Sequence, residues 1–292
     1  MKTTRRQFLK SSLASASIAA CGLANRSRAK SASSSNPITD TQVYLGHWPH
    51  RSLPNNTPAT LLAALRRNNI TQAWAGSFDA LFHKDIAAVN ERLAETCSRS
   101  GNGMLVPFGA VNPTLPDWED DIRRCHETFH MPGIRLHPNY HGYTLDDPRF
   151  ARLLNIAATR GLIVQLVDSM ADEKHAWLNP LAPKVDADPL SNAVAELQGL
   201  RVVIAGGVGA VDDSVVNELA RNEIVYFDVA CSDESPLKKL IDQMPIDRVL
   251  FGSGAPLHSM EAALSKLKQA DLKDNDRLAV QNDNARKLLM MK

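Results

Sequence analysis

Short apolar runs alternate with longer segments of helical periodicity along most of this chain. Each apolar run has the length of a strand and lacks polar alternation, which is typical of parallel strands buried on both faces. The pattern predicts strands at 41–45, 71–76, 104–110, 133–137, 162–167, 201–205, 224–228 and 248–252. It predicts helices at 58–68, 84–100, 117–129, 148–160, 187–198, 211–221, 236–243, 259–270 and 275–290.

Eight strands, each followed by a helix, predict a (β/α)8 TIM barrel over residues 38–292. A doubly wound open sheet uses the same elements, so periodicity alone leaves it open. No Gly-x-Gly-x-x-Gly turn follows the first strand, which disfavours a dinucleotide-binding sheet. The Gly-rich segment 206–209 lacks the Lys-Ser/Thr pair of a phosphate-binding loop and predicts a tight turn.

Residues 1–30 predict a twin-arginine signal peptide. Thr4-Arg5-Arg6-Gln7-Phe8-Leu9-Lys10 matches the export pattern, and the apolar stretch 13–24 is too short and too rich in Ser and Ala to stay in a membrane as a span. Cleavage by an ordinary signal peptidase competes with cleavage before Cys21, which would make that residue a lipid anchor. Residues 31–37 predict a flexible linker. The expected location is the periplasm or the extracellular space.

Removing this leader changes the charge of the chain. The leader contains seven basic residues and no acidic one, so the remainder has 26 basic against 32 acidic residues and a net charge near −6. A mildly acidic domain disfavours nucleic acid and anionic membranes as partners. Of the three remaining cysteines, Cys97 and Cys125 fall in predicted helices and are expected to be packing residues, and no disulfide framework is implied.

Four segments resemble motifs of the amidohydrolase-related family of barrel hydrolases. They are Gly133-Ile134-Arg135-Leu136-His137-Pro138, Leu145-Asp146-Asp147-Pro148-Arg149-Phe150, Leu250-Phe251-Gly252-Ser253 with Ala255-Pro256, and Asn284-Ala285-Arg286-Lys287-Leu288-Leu289. The resemblance covers residues 38–291. It implies a TIM barrel, a hydrolase function and a divalent metal centre.

The same resemblance implies five metal ligands, and this chain departs from the pattern at each one. The two first-strand histidines correspond to Gln42 and Tyr44, the later histidines to Val167 and Gly206, and the eighth-strand aspartate to Gly254. Valine and glycine side chains offer no ligand to a divalent ion. The aspartate is also the family's usual base for the attacking water. We therefore expect neither the family's metal nor another cofactor.

The carboxyl ends of barrel strands and the loops after them form the working face of such a fold. This rule selects His137, Asp168 and Asp228 as catalytic candidates, with either aspartate replacing the missing base and His137 polarising a carbonyl or orienting the substrate. The substrate-binding candidates are Tyr44, His47, Arg135, Asn139, His141, Ser253 and His258.

Three interpretations follow. The first is an exported, metal-independent hydrolase-like protein that acts on or binds a small carbonyl-containing substrate by lactone, C–N or C–C cleavage. Pyrone-dicarboxylate lactonases, in the family that this chain resembles, work without metal but keep the eighth-strand aspartate. The second is a non-catalytic barrel that binds a ligand or a partner. The third is a metal hydrolase with ligands relocated to His47, His50, His137 and His141. The substrate and the oligomeric state stay open.

Overall fold

A computed structural model of the chain describes residues 36–168, 170, 184–206, 213–229 and 236–291. The predicted signal peptide, Cys21, most of the linker and Cys231 lie outside these residues. The strands are β1 (Ile38–Leu45), β2 (Ile70–Ser77), β3 (Leu105–Ala110), β4 (Gly133–Leu136), β5 (Ile163–Val167), β6 (Arg201–Ala205), β7 (Val225–Asp228) and β8 (Val249–Leu250).

Helices connect these strands. They are α1 (Pro58–Arg67), α2 (Asp79–Phe82), α3 (Ile86–Ser100), α4 (Trp118–Arg123), α5 (Pro138–His141), α6 (Pro148–Thr159), α7 (Leu190–Val194), α8 (Asp213–Leu219), α9 (Pro236–Gln243), α10 (Met260–Gln269), α11 (Asp274–Leu278) and α12 (Asn284–Met290). A π-helical turn at Arg124–Thr128 follows α4, and a second one at Ala279–Asp283 joins α11 to α12. A short 3-10 turn at Ile246–Arg248 precedes β8.

The eight strands pair in parallel in the order β1 to β8. The segment after β8 then returns to β1, where Thr41 N–H donates to Phe251 O and Tyr44 N–H donates to Ala255 O, each at 2.8 Å. Val43 and Ala255 form a parallel bridge at the same seam. The predicted TIM barrel is confirmed as a nearly closed barrel with helices between its strands.

The sequence signals at helix starts explain several boundaries. Thr57 caps α1 and shares a reciprocal capping box with Thr60, while Asp85, Asp147 and Ser259 cap α3, α6 and α10 through their side chains. Such side-chain oxygens satisfy backbone N–H groups that have no partner inside the helix. The apolar faces of these helices pack on the outer face of the barrel.

Two differences from the predicted elements matter for the site. Helices α2 and α5, of four residues each, follow β2 and β4 within segments that the pattern leaves as loops. The predicted strand 248–252 shortens to β8 because the chain beyond Leu250 bends toward β1. Cys97 and Cys125 are buried with free thiols, as predicted for packing residues. None of the helices in the described part of the chain has both the length and the apolar character of a membrane span.

Candidate functional site

The interior of the barrel contains two apolar clusters with a polar layer between them. The lower cluster, nearer the amino ends of the strands, contains Trp74, Phe108, Ile163, Val203, Tyr226, Leu250, Ala285 and Leu288. The upper cluster, at the carboxyl ends, contains Tyr44, Trp48, Leu53, Phe78, Leu81, Val167, Met170, Ala205 and Leu257. Because alternate strand residues share a face, Gly76 and Gln165 lie between the two clusters.

Arg135 is the central residue of the polar layer and is 1 % exposed. Its guanidinium donates to the carbonyl oxygens of Thr41 (3.2 Å), Val43 (2.8 Å) and Trp74 (2.9 Å) and to Oε1 of Gln165 (2.9 Å). These contacts tie β4 to β1, β2 and β5. The sequence predicts Arg135 as a substrate-binding residue, and its donor atoms are directed instead at the protein itself.

Two neighbours shape the space around this guanidinium. A Cβ on Gly76 would lie 2.6 Å from Nη1 of Arg135, so only glycine leaves room there. The ring of Tyr44 lies above, with its centroid 4.7 Å from Cζ of Arg135, in a cation–π contact. Burial lowers the pKa of Arg135, and the charges of Asp228 and Asp40 act in the opposite direction. Arginine begins so basic that the group stays charged at neutral pH.

Asp40 joins β1 to the segment after β8. Its Oδ1 accepts from the backbone N–H of Gln42 (3.0 Å) and of Ser253 (2.9 Å), and its Oδ2 accepts from Oγ of Ser253 (2.5 Å). Complete burial raises the pKa of Asp40 to about 7 against the opposing effect of these hydrogen bonds. The hydroxyl of Ser253, a predicted substrate contact, is thus engaged in closing the barrel.

Asp228, a predicted base, is also held by the protein. Its Oδ1 accepts from the backbone N–H of Gly206 at 3.0 Å, and its Oδ2 accepts from Oγ1 of Thr41 at 3.3 Å. The residue is completely buried at the end of β7. These contacts favour a role in linking β1, β6 and β7, and the catalytic assignment of Asp228 stays a prediction.

Tyr44 and His137 form the polar pair of the upper cluster. The phenol oxygen of Tyr44 lies 3.4 Å from Nε2 of His137 and 3.4 Å from Nε2 of Gln42, which donates to it. The Tyr44 ring stacks on Phe78 with centroids 4.9 Å apart. Burial, followed by the charges of His141 and Arg135, lowers the pKa of His137 well below its usual 6.5, so the imidazole is neutral. Its Nδ1 has no hydrogen-bond partner among the residues that the structure describes.

His141 lies beside His137, with ring centroids 6.0 Å apart. Its Nε2 is 2.9 Å from the carbonyl oxygen of Ala80, which fastens α5 to α2. Burial lowers the pKa of His141 despite the opposing effect of nearby carbonyl oxygens. The contact between α2 and α5 therefore positions His141 at the barrel mouth. This helix follows β4, where candidate polar residues are most frequent in the sequence.

Asp168 follows β5 and is 2 % exposed. Neither carboxylate oxygen has a hydrogen-bond partner within the described ranges, and the Val185 N–H reaches the Asp168 backbone carbonyl at 3.4 Å instead. Burial raises the pKa of Asp168 to about 6, and the charge of Lys184 acts in the opposite direction. Nδ2 of Asn139 donates to the same backbone carbonyl at 3.4 Å. Asn139 and Asp168 are thus in contact, as the barrel prediction expects of residues after neighbouring strands.

The remaining predicted residues lie farther out. His47 is exposed and His258 is half-buried. Phe82, which the sequence does not single out, forms edge-to-face contacts with Trp48 (5.9 Å between centroids), His50 (5.9 Å) and Tyr140 (5.8 Å). Phe82 is 43 % exposed, so this aromatic group borders the mouth. The signal in the sequence is four aromatic residues in the segments after strands one, two and four.

The donor set at this mouth does not fit the metal centre that the fold family implies. Tyr44 contacts both Gln42 and His137, and Val167 packs in the upper cluster. Gly254 adopts φ +69°, and its N–H donates to Gln42 O at 2.8 Å. Within the described residues, no three His, Cys, Asp or Glu side chains converge where a metal ion could bind. The relocated-ligand interpretation gains no support from this geometry.

The fold and the mouth define a TIM barrel with a buried polar site at the carboxyl ends of its strands. The amidohydrolase family model, Amidohydro_2, matches residues 51–290, and the chain belongs to this family. The match begins after β1, the strand that contains Gln42 and Tyr44. A search of the curated proteins finds no match.

Solved structures with the same fold include several decarboxylases. A dihydroxybenzoic acid decarboxylase from Polaromonas sp. JS666, with bound manganese and 2-nitroresorcinol, has a TM-score of 0.67 at 14 % identity and covers 87 % of this chain and 97 % of its own. A 2,6-dihydroxybenzoate decarboxylase complexed with 2,6-dihydroxybenzoate gives 0.66 at 15 %, covering 87 % and 98 %. A 5-carboxyvanillate decarboxylase from Sphingomonas paucimobilis gives 0.67 at 12 %, covering 88 % and 100 %. At these identities the likeness is one of fold.

Proposed function

We propose that this protein binds and transforms a small carbonyl-containing molecule at the barrel mouth without a bound metal ion. The proposal is carried by three of the buried polar atoms that have no hydrogen-bond partner in the described part of the chain: Nδ1 of His137 and both carboxylate oxygens of Asp168. Leaving such a group unpaired costs about 1–3 kcal/mol. A ligand with a hydrogen-bond donor for Asp168 and a polar group for His137 would offset that cost.

The chemistry follows from the protonation states of these groups. With a pKa of about 6, Asp168 is mostly ionised at neutral pH and can accept a proton from water or from a substrate hydroxyl. The neutral imidazole of His137, held by the Tyr44 hydroxyl, is suited to hydrogen-bond a carbonyl oxygen rather than to supply charge. In this assignment Asp168 is the base and His137 with Tyr44 orients and polarises the carbonyl. Hydrolysis of a lactone or a related ester fits these roles.

A second candidate function is ligand binding without turnover. The observation that favours it is the tight packing of the upper cluster, in which Val167 and Ala205 are 0 % exposed. Gly254 also lacks a carboxylate at the position where the family's base is expected. Under this alternative the same unpaired atoms recognise the ligand, and no bond is broken.

A ligand and turnover screen separates these functions. EDTA-treated protein is mixed with lactones, aromatic acids including dihydroxybenzoates, and sugars, and both the melting temperature and product formation are measured. The matched variants are His137→Gln and Asp168→Asn, with the exposed His126→Gln as the control. Turnover that survives EDTA and His126→Gln but is lost in both site variants supports catalysis. Stabilisation without product supports the binding function, and activity restored only by added manganese contradicts the metal-free proposal.

We further propose that the protein is exported by the twin-arginine route. The proposal rests on Arg5-Arg6 with Phe8-Leu9 and the apolar stretch after them. The test is expression of the full chain and of the double variant Arg5→Lys, Arg6→Lys, followed by fractionation. We expect a shortened periplasmic or extracellular product for the natural chain and an uncleaved cytoplasmic one for the variant. Equal export of both would contradict the assignment.

A further inference from the structure

The polar layer of the barrel surrounds a positive charge that the protein itself supplies. Four oxygen atoms accept from the guanidinium of Arg135, three of them backbone carbonyls of β1 and β2. Gln165 also donates to Thr41 O at 2.8 Å, which fixes the orientation of its own accepting oxygen. All three nitrogen atoms of the guanidinium therefore have oxygen acceptors, which compensates for the loss of water around a buried charge.

The guanidinium of Arg135 lies beside β1, the strand on which the family resemblance implies two metal ligands. Thr41 and Val43, whose carbonyls accept from Arg135, flank Gln42, and the ring of Tyr44 covers the guanidinium at 4.7 Å. Gln42 and Tyr44 are the two positions at which the family resemblance implies first-strand metal ligands. The guanidinium therefore lies next to one of the two strand positions at which the resemblance implies a metal ligand.

Two buried carboxyl groups lie within electrostatic reach of this guanidinium. Asp40 and Asp228 are both completely buried, and both act on Arg135 electrostatically. A buried charge is tolerated when hydrogen bonds compensate it, and four oxygen atoms accept from Arg135.

We propose that the guanidinium of Arg135 replaces the metal ion as the internal cation of this barrel. It holds β1, β2, β4 and β5 together through its oxygen contacts. This inference rests on the metal-free part of the proposed function, and it is independent of which ligand binds or whether turnover occurs.

The test is chemical rescue of Arg135→Ala, which removes the charge and leaves the oxygen atoms in place. We expect the melting temperature to fall by about 10 °C, the effect of unpairing a buried charge network in a chain of this size. Ethylguanidinium added at millimolar concentration should recover at least half of that loss. Ethylurea, which has a similar planar shape but no charge, should recover none. The natural chain and the surface variant Arg152→Ala should respond to neither compound.

Each outcome decides the proposal. Equal rescue by ethylurea and ethylguanidinium would show that shape, not charge, matters and would overturn it. A melting temperature of Arg135→Met equal to that of the natural chain would also overturn it. If Arg135→Ala is insoluble, the same two compounds are compared by refolding yield. Stoichiometric zinc or manganese in the natural chain would overturn both this inference and the metal-free function, whereas failed rescue in a metal-free protein would overturn the inference alone.

Discussion

Replacing Asp40 by asparagine is expected to make the stability of the protein less sensitive to pH. Asp40 is completely buried, and its pKa is raised to about 7 in the folded chain, against about 3.9 when unfolded. A carboxyl group with a raised folded pKa binds its proton more tightly in the folded state. Its contribution to stability is therefore present below about pH 4 and is lost as the pH rises through about 7.

The size of this effect follows from the two pKa values. Between about pH 5.5 and 8.5, proton linkage gives a loss of about 2 kcal/mol in the free energy of unfolding from this one group. Asparagine keeps an oxygen that accepts from the N–H groups of Gln42 and Ser253, and its amide nitrogen can donate to the Ser253 hydroxyl. The variant thus keeps the seam between β1 and the segment after β8 without the buried charge.

The assay is urea unfolding of the natural chain and of Asp40→Asn at both pH values, because the difference between the two proteins removes the contribution of all other titrating groups. Asp117→Asn, at an exposed position, controls for the loss of a carboxylate alone. We expect the natural chain to lose about 2 kcal/mol more than Asp40→Asn between these pH values. An equal loss in both proteins would refute the assignment of a raised pKa to Asp40.

Three further predictions follow from the interior contacts. Gly76→Ala should lower the free energy of unfolding by about 1–3 kcal/mol, because its Cβ would collide with Arg135, and an unchanged melting temperature would contradict this. Asn90→Leu should lower the free energy of unfolding in urea by about 3 kcal/mol, because Asn90 hydrogen-bonds both the N–H and the carbonyl of Ala110, at 2.7 and 2.8 Å. A loss below about 1 kcal/mol would contradict this. Ligand affinity should weaken as the pH falls through about 6, where Asp168 becomes protonated, and Asp168→Asn should remove that pH dependence in a calorimetric titration. An unchanged profile in the variant would exclude Asp168 as the titrating group.

The sequence predicts the barrel well because each strand is a short apolar run that can be recognised from its own residues, without knowing which strands it pairs with. Residues 201–205, for example, form β6 with the predicted bounds. Helices α2 and α5 escape prediction because one turn of four residues is too short to show a periodicity. Such a turn is stabilised by tertiary contacts, here the His141 contact with Ala80.

The site is predicted only in part for a similar reason. The barrel rule selects His137 and Asp168 because they follow strands, and their roles in a site stay predictions. The partners of Asp40 and Arg135 are not visible in the pattern, because the contact from Asp40 to Ser253 spans 213 positions in the chain. Alternation does place Arg135 on the same strand face as His137 and Gln165 on the same face as Val167, but it does not show that Arg135 and Gln165 meet.

The metal content of the purified mature protein shows directly whether this barrel lacks the family's divalent ion. The chain is expressed in medium supplied with zinc and manganese, purified without chelator, and analysed by elemental mass spectrometry against its protein concentration. We expect far less than one divalent ion per chain, because the five positions at which the resemblance implies metal ligands offer no metal-binding set: Gln42, Tyr44, Val167, Gly206 and Gly254. One tightly held zinc or manganese ion per chain would contradict it.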